Sequence, residues 1–142
     1  VRYAVTAEPL TFYACHCTNC RRQGGSAFAL SLLIPVDGWR VTQGDPARYE
    51  FFADSGRAKT GWFCPDCGVR LSHETQGAAT RTIRAGTLDD IAAWRPAGHI
   101  WTASALPWMQ FGQDDLIYEA GPDDGFAALI ARWRDTPALR GG

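Results

Sequence analysis

The amino-acid sequence predicts a mainly β domain with short helical turns and one helix near the C-terminus. Three observations carry that expectation. Apolar and polar residues alternate over short segments, Gly, Pro and Asp turn signals separate those segments, and an amphipathic helical period stands out only once. A chain of 142 residues suits one domain, 1–142, and can bury a core without disulfide staples.

In chain order, residues 2–6 (RYAVT) read as a strand and 28–36 (FALSLLIPV) as a longer, more buried one. GWRVTQG (38–44) and ARYEFFAD (47–54) read as two strands linked by the turn-rich QGDP. AKTGWFC (58–64) leads into a Cys-Pro-Asp-Cys-Gly knuckle, and VRLSHET (69–75) leaves it as a strand. TRTIRAGTL (80–88) and HIWTAS (99–104) are further strand candidates, and CTNCRRQ (17–23) forms one short helical turn. The clear helix is DDGFAALIARWRD (123–135). There Asp123 or Asp124 can cap, Phe126, Leu129, Ile130 and Trp133 share a face, and Pro137 stops the run. Its apolar face reads as a lid on the core.

Composition removes several classes of function. The chain is 46% hydrophobic with six tryptophans, which places it among folded globules. A net charge of −1 gives no bulk attraction to nucleic acid or an anionic membrane. The longest apolar run is too short to span a bilayer, and the opening residues do not read as a secretory leader. Five cysteines in tight clusters point to a reducing, cytoplasmic setting and to metal binding rather than cross-linking.

Three of those cysteines, Cys15, Cys17 and Cys20, fall within six positions. A disulfide wants α-carbons roughly 4.4 to 6.8 Å apart with converging side chains, which residues i and i+2 of an extended segment meet only marginally. A metal favours several thiolates converging on one point. Cys64-Pro65-Asp66-Cys67-Gly68 is a zinc knuckle in which Gly68 lets the backbone reverse, and the βαβ setting of a redox Cys-x-x-Cys is absent. Two arrangements follow from the spacing. Cys15, Cys17 and Cys20 hold a metal with one open position, suited to chemistry on an incoming thiol, or two or three of them close a four-ligand structural site with Cys64 and Cys67.

CHCTNCRR, followed some forty residues later by FCPDCGVRLSHE and then by AGTLDD and GHIWTASALPW, resembles the glutathione-dependent formaldehyde-activating enzyme family, which includes centromere protein V. The resemblance runs from residue 1 to about 110 and implies a zinc-bearing, β-tent-like sheet domain. It implies two zinc sites: a catalytic one on Cys15, Cys17 and Cys20, and a structural one of which Cys64 and Cys67 are half. The other half would be a Cys-x-Cys placed immediately before Val1, and the abrupt strand at Val1 suggests a sequence that starts after it. Were that pair lost instead, Cys64 and Cys67 would borrow from the Cys15 loop. The activity implied is a carbon–sulfur lyase of the S-(hydroxymethyl)glutathione synthase kind. In it a zinc-held thiolate of glutathione, or of another small thiol, adds to an aldehyde.

Other residues are weighed against that implication. Arg21 and Arg22 follow the ligand loop and could grip substrate carboxylates bidentately, or they are surface charge. Gln23, Gly24 and Gly25 could bring backbone amides to the substrate. His16 is expected to point away from its neighbours' metal, while His73 and His99 are packing or hydrogen-bonded residues, either able to replace a missing ligand. Trp101 and Trp108 are both candidate pocket walls, with core packing the stronger expectation for Trp101. The competing functions are a non-catalytic zinc-stabilised binding domain and a redox repair enzyme such as a methionine-sulfoxide reductase. The last needs a nucleophilic cysteine outside the ligand clusters.

Overall fold

A computed structural model describes residues 1–53 and 56–142. Among these, ten strands and two helices occur in the order β1 (Arg2–Val5), β2 (Thr11–Cys15), α1 (Thr18–Gly24), β3 (Ala29–Pro35), β4 (Trp39–Gln43) and β5 (Ala47–Phe52). There follow β6 (Ala58–Phe63), β7 (Arg70–Thr75), β8 (Thr80–Arg84), β9 (Gly98–Ile100), β10 (Leu116–Ile117) and α2 (Ala127–Asp135). Eight strands form one sheet in the order β10-β9-β2-β3-β8-β7-β6-β5, and β1 pairs with β4 in a separate two-stranded ribbon. The long sheet is antiparallel except where β9 lies parallel to both β2 and β10. No helix among the described residues is long and apolar enough to cross a membrane.

Strand geometry sends successive side chains to opposite faces, and here the two faces have different chemistry. Phe12, Leu32, Ile34 and Ile83 are fully buried on one face. Phe12 meets Trp133 of α2 and Trp94 edge-on, with centroids 5.8 and 5.9 Å away. Thr11 is buried on β2 and its hydroxyl donates to the Leu129 carbonyl at 3.0 Å, which ties α2 to the sheet. Farther along, Arg81 stacks over Trp39 of the ribbon at 4.6 Å, approaches Trp62 at 5.6 Å and forms an ion pair with Glu74. The other face carries Tyr13, Cys15, Ser31, Thr82 and Arg84 and borders a cleft.

The sequence expectations and the structure differ at several elements, β10 among them. TFYAC (11–15) carries no alternating strand signal of its own in the sequence. It is β2, buried at every position, so it shows none of the alternation that marks a half-exposed strand. GWRVTQG and ARYEFFAD do form strands across QGDP but join different sheets, β4 with β1 and β5 with β6. The final residue of the second segment, Asp54, lies outside the described residues. HIWTAS stops being a strand after Ile100, because Trp101 adopts a left-handed conformation (φ 59°) and a short 3-10 turn follows. The C-terminal helix forms with Leu129 and Trp133 buried, but it begins at Ala127 rather than Asp123. Phe126 takes the N-cap position in a left-handed conformation, and the Asp124 carboxylate accepts from the amides of Phe126 and Ala128 from just outside the helix.

Gly98 admits no side chain between β10 and α2. A β-carbon there would lie 2.5 Å from the Leu116 carbonyl oxygen and 2.7 Å from a Leu129 methyl. Gly98→Ala is therefore expected to destabilise the fold by about 1–3 kcal/mol, as overpacking does. Chemical denaturation should show a lower midpoint with an unchanged slope.

Candidate functional site

Cys15 ends β2, Cys17 caps α1, and Cys20 sits in the first turn of that helix. Cys17 has extended backbone angles (φ −61°, ψ 151°), and its sulfur accepts from the Cys20 amide at 3.3 Å. A cap of this kind normally comes from a side-chain oxygen. Here a sulfur takes the place, and the same half-turn swings Cys20 back towards Cys15. The three sulfurs lie within 4.8 Å of one another, with Cys15 and Cys20 buried. All five cysteines are unpaired.

The electrostatics of the group are asymmetric. The Cys15 thiol is pushed up because it donates towards the Cys17 and Cys20 sulfurs, and burial adds to this. The Cys20 thiol is pulled far down by those same contacts, first from Cys15 and then from Cys17, with the Arg84 guanidinium contributing. Arg84 donates from Nη1 to the Cys20 sulfur at 3.5 Å. Three converging sulfurs, one of them drawn towards its thiolate form beside a cation, could hold a metal ion, and a thiolate donor set suits zinc.

The group stands in a cleft of about 450 Å³ whose walls come from the polar face of the sheet. Lys59, Arg57, Arg70 and Arg84 supply cations, Phe51, Trp101 and Phe126 supply aromatic surface, and His73 adds a ring nitrogen. His73 Nδ1 is buried without a hydrogen-bond partner. Burial, reinforced by Lys59 and the arginines, drives the His73 pKa well below its ordinary range, so the ring is neutral. Burial also lowers the Lys59 ammonium. Phe126, in a left-handed conformation (φ 76°), packs on Tyr13 at 5.2 Å and closes one end.

Neither Cys64 nor Cys67 belongs to the three-sulfur group. Cys64 is buried at the end of β6 and Cys67 is exposed. The knuckle closes through Gly68 N–H to the Cys64 carbonyl (2.8 Å) with Gly68 at φ 74°. The amides of Cys67 and Asp66 lower the Cys64 thiol to about 7, and the Val1 backbone nitrogen lies 3.4 Å from its sulfur.

The other residues singled out from the sequence fall in several places. Gln23 borders the cleft, and its side-chain oxygen accepts from Arg70 and Arg84. Gly24 and Gly25 line a second cavity, on the far side of Gln23. Arg21 is bonded to the Ser104 carbonyl at 2.7 Å, Arg22 is exposed, and Trp108 is 66% exposed, and none of the three lines the cleft. His16 turns away from the sulfurs into a buried chain, its Nε2 3.0 Å from His99 Nδ1, with His99 Nε2 3.5 Å from Asp115. Burial, followed by His99 and Arg21, lowers His16 to about 4. His73, expected as a packing residue or a replacement ligand, lines the cleft; sequence reasoning missed Arg57, Lys59, Arg70 and Arg84. Their signal was present as polar residues at alternate positions in β-segments, on the face that a strand would otherwise give to solvent.

The description of the family model that matches residues 1–104 reads "Glutathione-dependent formaldehyde-activating enzyme". The chain belongs to this family. Its members are enzymes of glutathione and formaldehyde. No curated protein matches the chain. Among solved structures, a Rhodobacter sphaeroides protein is similar at 22% identity and a TM-score of 0.47, covering 61% of this chain and 79% of its own.

Removing one sulfur should empty the three-cysteine group. Cys20→Ala is expected to lower metal affinity there by about 10²-fold or more, since a metal bound by two thiolates loses a quarter or more of its coordination. Metal content of purified wild type and variant, measured after dialysis against a weak chelator, checks this.

Proposed function

We propose that this chain is a zinc-dependent carbon–sulfur lyase of glutathione adducts, similar to S-(hydroxymethyl)glutathione synthase, and that it works in the cytoplasm. The observation that carries the reading is the convergence of Cys15, Cys17 and Cys20 within 4.8 Å at the wall of a cation-rich cleft. Three protein ligands leave a fourth position for a thiol, which zinc would hold as thiolate at neutral pH. A second zinc, purely structural, is assigned to Cys64 and Cys67, with its remaining ligands outside the three-sulfur group.

The chain's own residues have distinct parts in this reading. Glutathione is an anionic thiol, and Arg57, Lys59, Arg70 and Arg84 favour its entry over that of a neutral one. Phe51, Trp101 and Phe126 exclude water from around the sulfur. The addition forms one carbon–sulfur bond, the carbonyl π pair moves to oxygen, and that oxygen takes up one proton. Lys59 is the cleft cation suited to give it, because burial has brought its ammonium down. In the reverse direction the same amine receives the proton as the bond breaks. Arg21, Arg22 and Trp108 are assigned to the approach outside the cleft.

The test is exchange of formaldehyde with glutathione, followed by NMR on zinc-loaded protein. Wild type is expected to accelerate exchange above the uncatalysed rate, and Cys20→Ala to return it to that rate. Lys59→Met is expected to slow it by about 10²-fold while retaining the metal. Exchange at the uncatalysed rate by fully zinc-loaded wild type would sink the lyase reading.

A further inference from the structure

Arg70 and Arg84 are adjacent buried guanidiniums, 8% and 7% exposed, at the ends of β7 and β8. Among the described residues the ion pairs are Arg2–Asp89, Arg81–Glu74, His99–Asp115 and Arg134–Asp135, so neither of the two has a carboxylate. The fold gives Arg81, on the opposite face of the same sheet, a glutamate. It gives Arg70 and Arg84 one neutral atom to share, the Gln23 side-chain oxygen, which accepts from Arg70 Nη1 and from Arg84 Nη2 at 3.0 Å. Arg84 also reaches the Cys20 sulfur, and Arg70 reaches the Tyr49 hydroxyl at 2.5 Å and the Ser72 carbonyl at 3.3 Å. Even so, Arg70 Nη2 and Arg84 Nε are buried with no partner.

Buried cations are stable when paired, and an unpaired one is costly. An amide oxygen offers each guanidinium a dipole where a carboxylate would offer a full charge and a second acceptor atom. Gln23 is itself exposed, near the end of a seven-residue helix, and is followed by Gly24 and Gly25. It can turn aside without disturbing packed neighbours. The three residues also form a partition, since Gln23, Arg70 and Arg84 border both the cysteine cleft and a second cavity of about 580 Å³.

The geometry points to a carboxylate subsite on Arg70 and Arg84, in which the Gln23 amide oxygen holds the place of a ligand oxygen until the ligand displaces it. The ligand is the carboxylate of a thiol compound whose sulfur goes to the three cysteines. This identity rests on the thiol-binding reading of those cysteines; the anion subsite itself does not. Arg84, touching both Cys20 and Gln23, links the two ends of such a molecule.

Calorimetric titration of the zinc-loaded chain with glutathione and with its diethyl ester separates carboxylate from thiol. The ester is expected to bind about tenfold more weakly or worse. Gln23→Glu fixes a carboxylate on the guanidinium pair, and is expected to raise Tm, to weaken glutathione by about tenfold and to leave the ester within about twofold. Gln23→Ala should bind glutathione as well as wild type or better, which a purely structural glutamine would not allow. Equal binding of glutathione and ester, or a Gln23→Glu variant that is less stable and weakens both alike, overturns the subsite. If neither thiol binds wild type, the thiol reading falls, and glutarate then decides the subsite by itself. Shifts of the Arg70 and Arg84 Nε–H resonances with glutarate, abolished by Gln23→Glu, would uphold it, and unmoved resonances would overturn it.

Discussion

The alternation of side chains along β2 is the constraint on which the rest of the molecule depends. One five-residue strand must send Phe12 into an apolar core under α2 and, from its other face, Tyr13 and Cys15 into a polar cleft. A slip of one residue against β3 would exchange those faces, placing a sulfur in the core and a phenyl ring in the cleft. The register is held by pairing on both sides, antiparallel with β3 and parallel with β9, and by the Thr11 bond to α2. Because β2 is locked in the middle of the sheet, the turn that follows it delivers Cys17 and Cys20 to a fixed point.

The second theme is charge. The cleft gathers several cations and few anions, and the Cys20 sulfur, drawn towards its thiolate form, lies beside Arg84. Three thiolates with a divalent metal carry a net charge of −1, so a filled metal group would still leave the cleft positive. Such an excess is unfavourable for folding and useful for binding. It draws in an anionic ligand whose binding relieves it, so part of the affinity would come from removing a strain that the protein carries alone.

How far the sequence disclosed this depended on whether a feature leaves a one-dimensional trace. The cysteine spacing did, because ligands on one turn must be close in the chain, and Cys15, Cys17 and Cys20 meet as their spacing suggests. The C-terminal helix did, through its apolar period and Asp124. β2 left no such trace, since a strand buried on both faces has no alternation to read. The cleft cations left an ambiguous one. Lys59 and Arg84 alternate with apolar neighbours just as solvent-facing residues would, and only the curvature of an assembled sheet distinguishes a concave polar face from an outer one. Arg21 and Arg22 drew notice through nearness in sequence to the cysteines, whereas the arginines that face the sulfurs come from strands far along the chain.

The sulfur of Cys17 serves two masters. It belongs to the three-sulfur group and it also caps a helix of seven residues, too short to persist unaided. The interval of two residues between Cys17 and Cys20 thus answers at once to coordination and to backbone geometry. Lengthening it by one would rotate Cys20 by about 100° around the helix axis and take its amide away from the capping sulfur. The loop is better regarded as a latch whose pin and hinge are the same atom: whatever engages that sulfur also decides whether the first turn of the helix, and the arginines and glutamine behind it, are held in place.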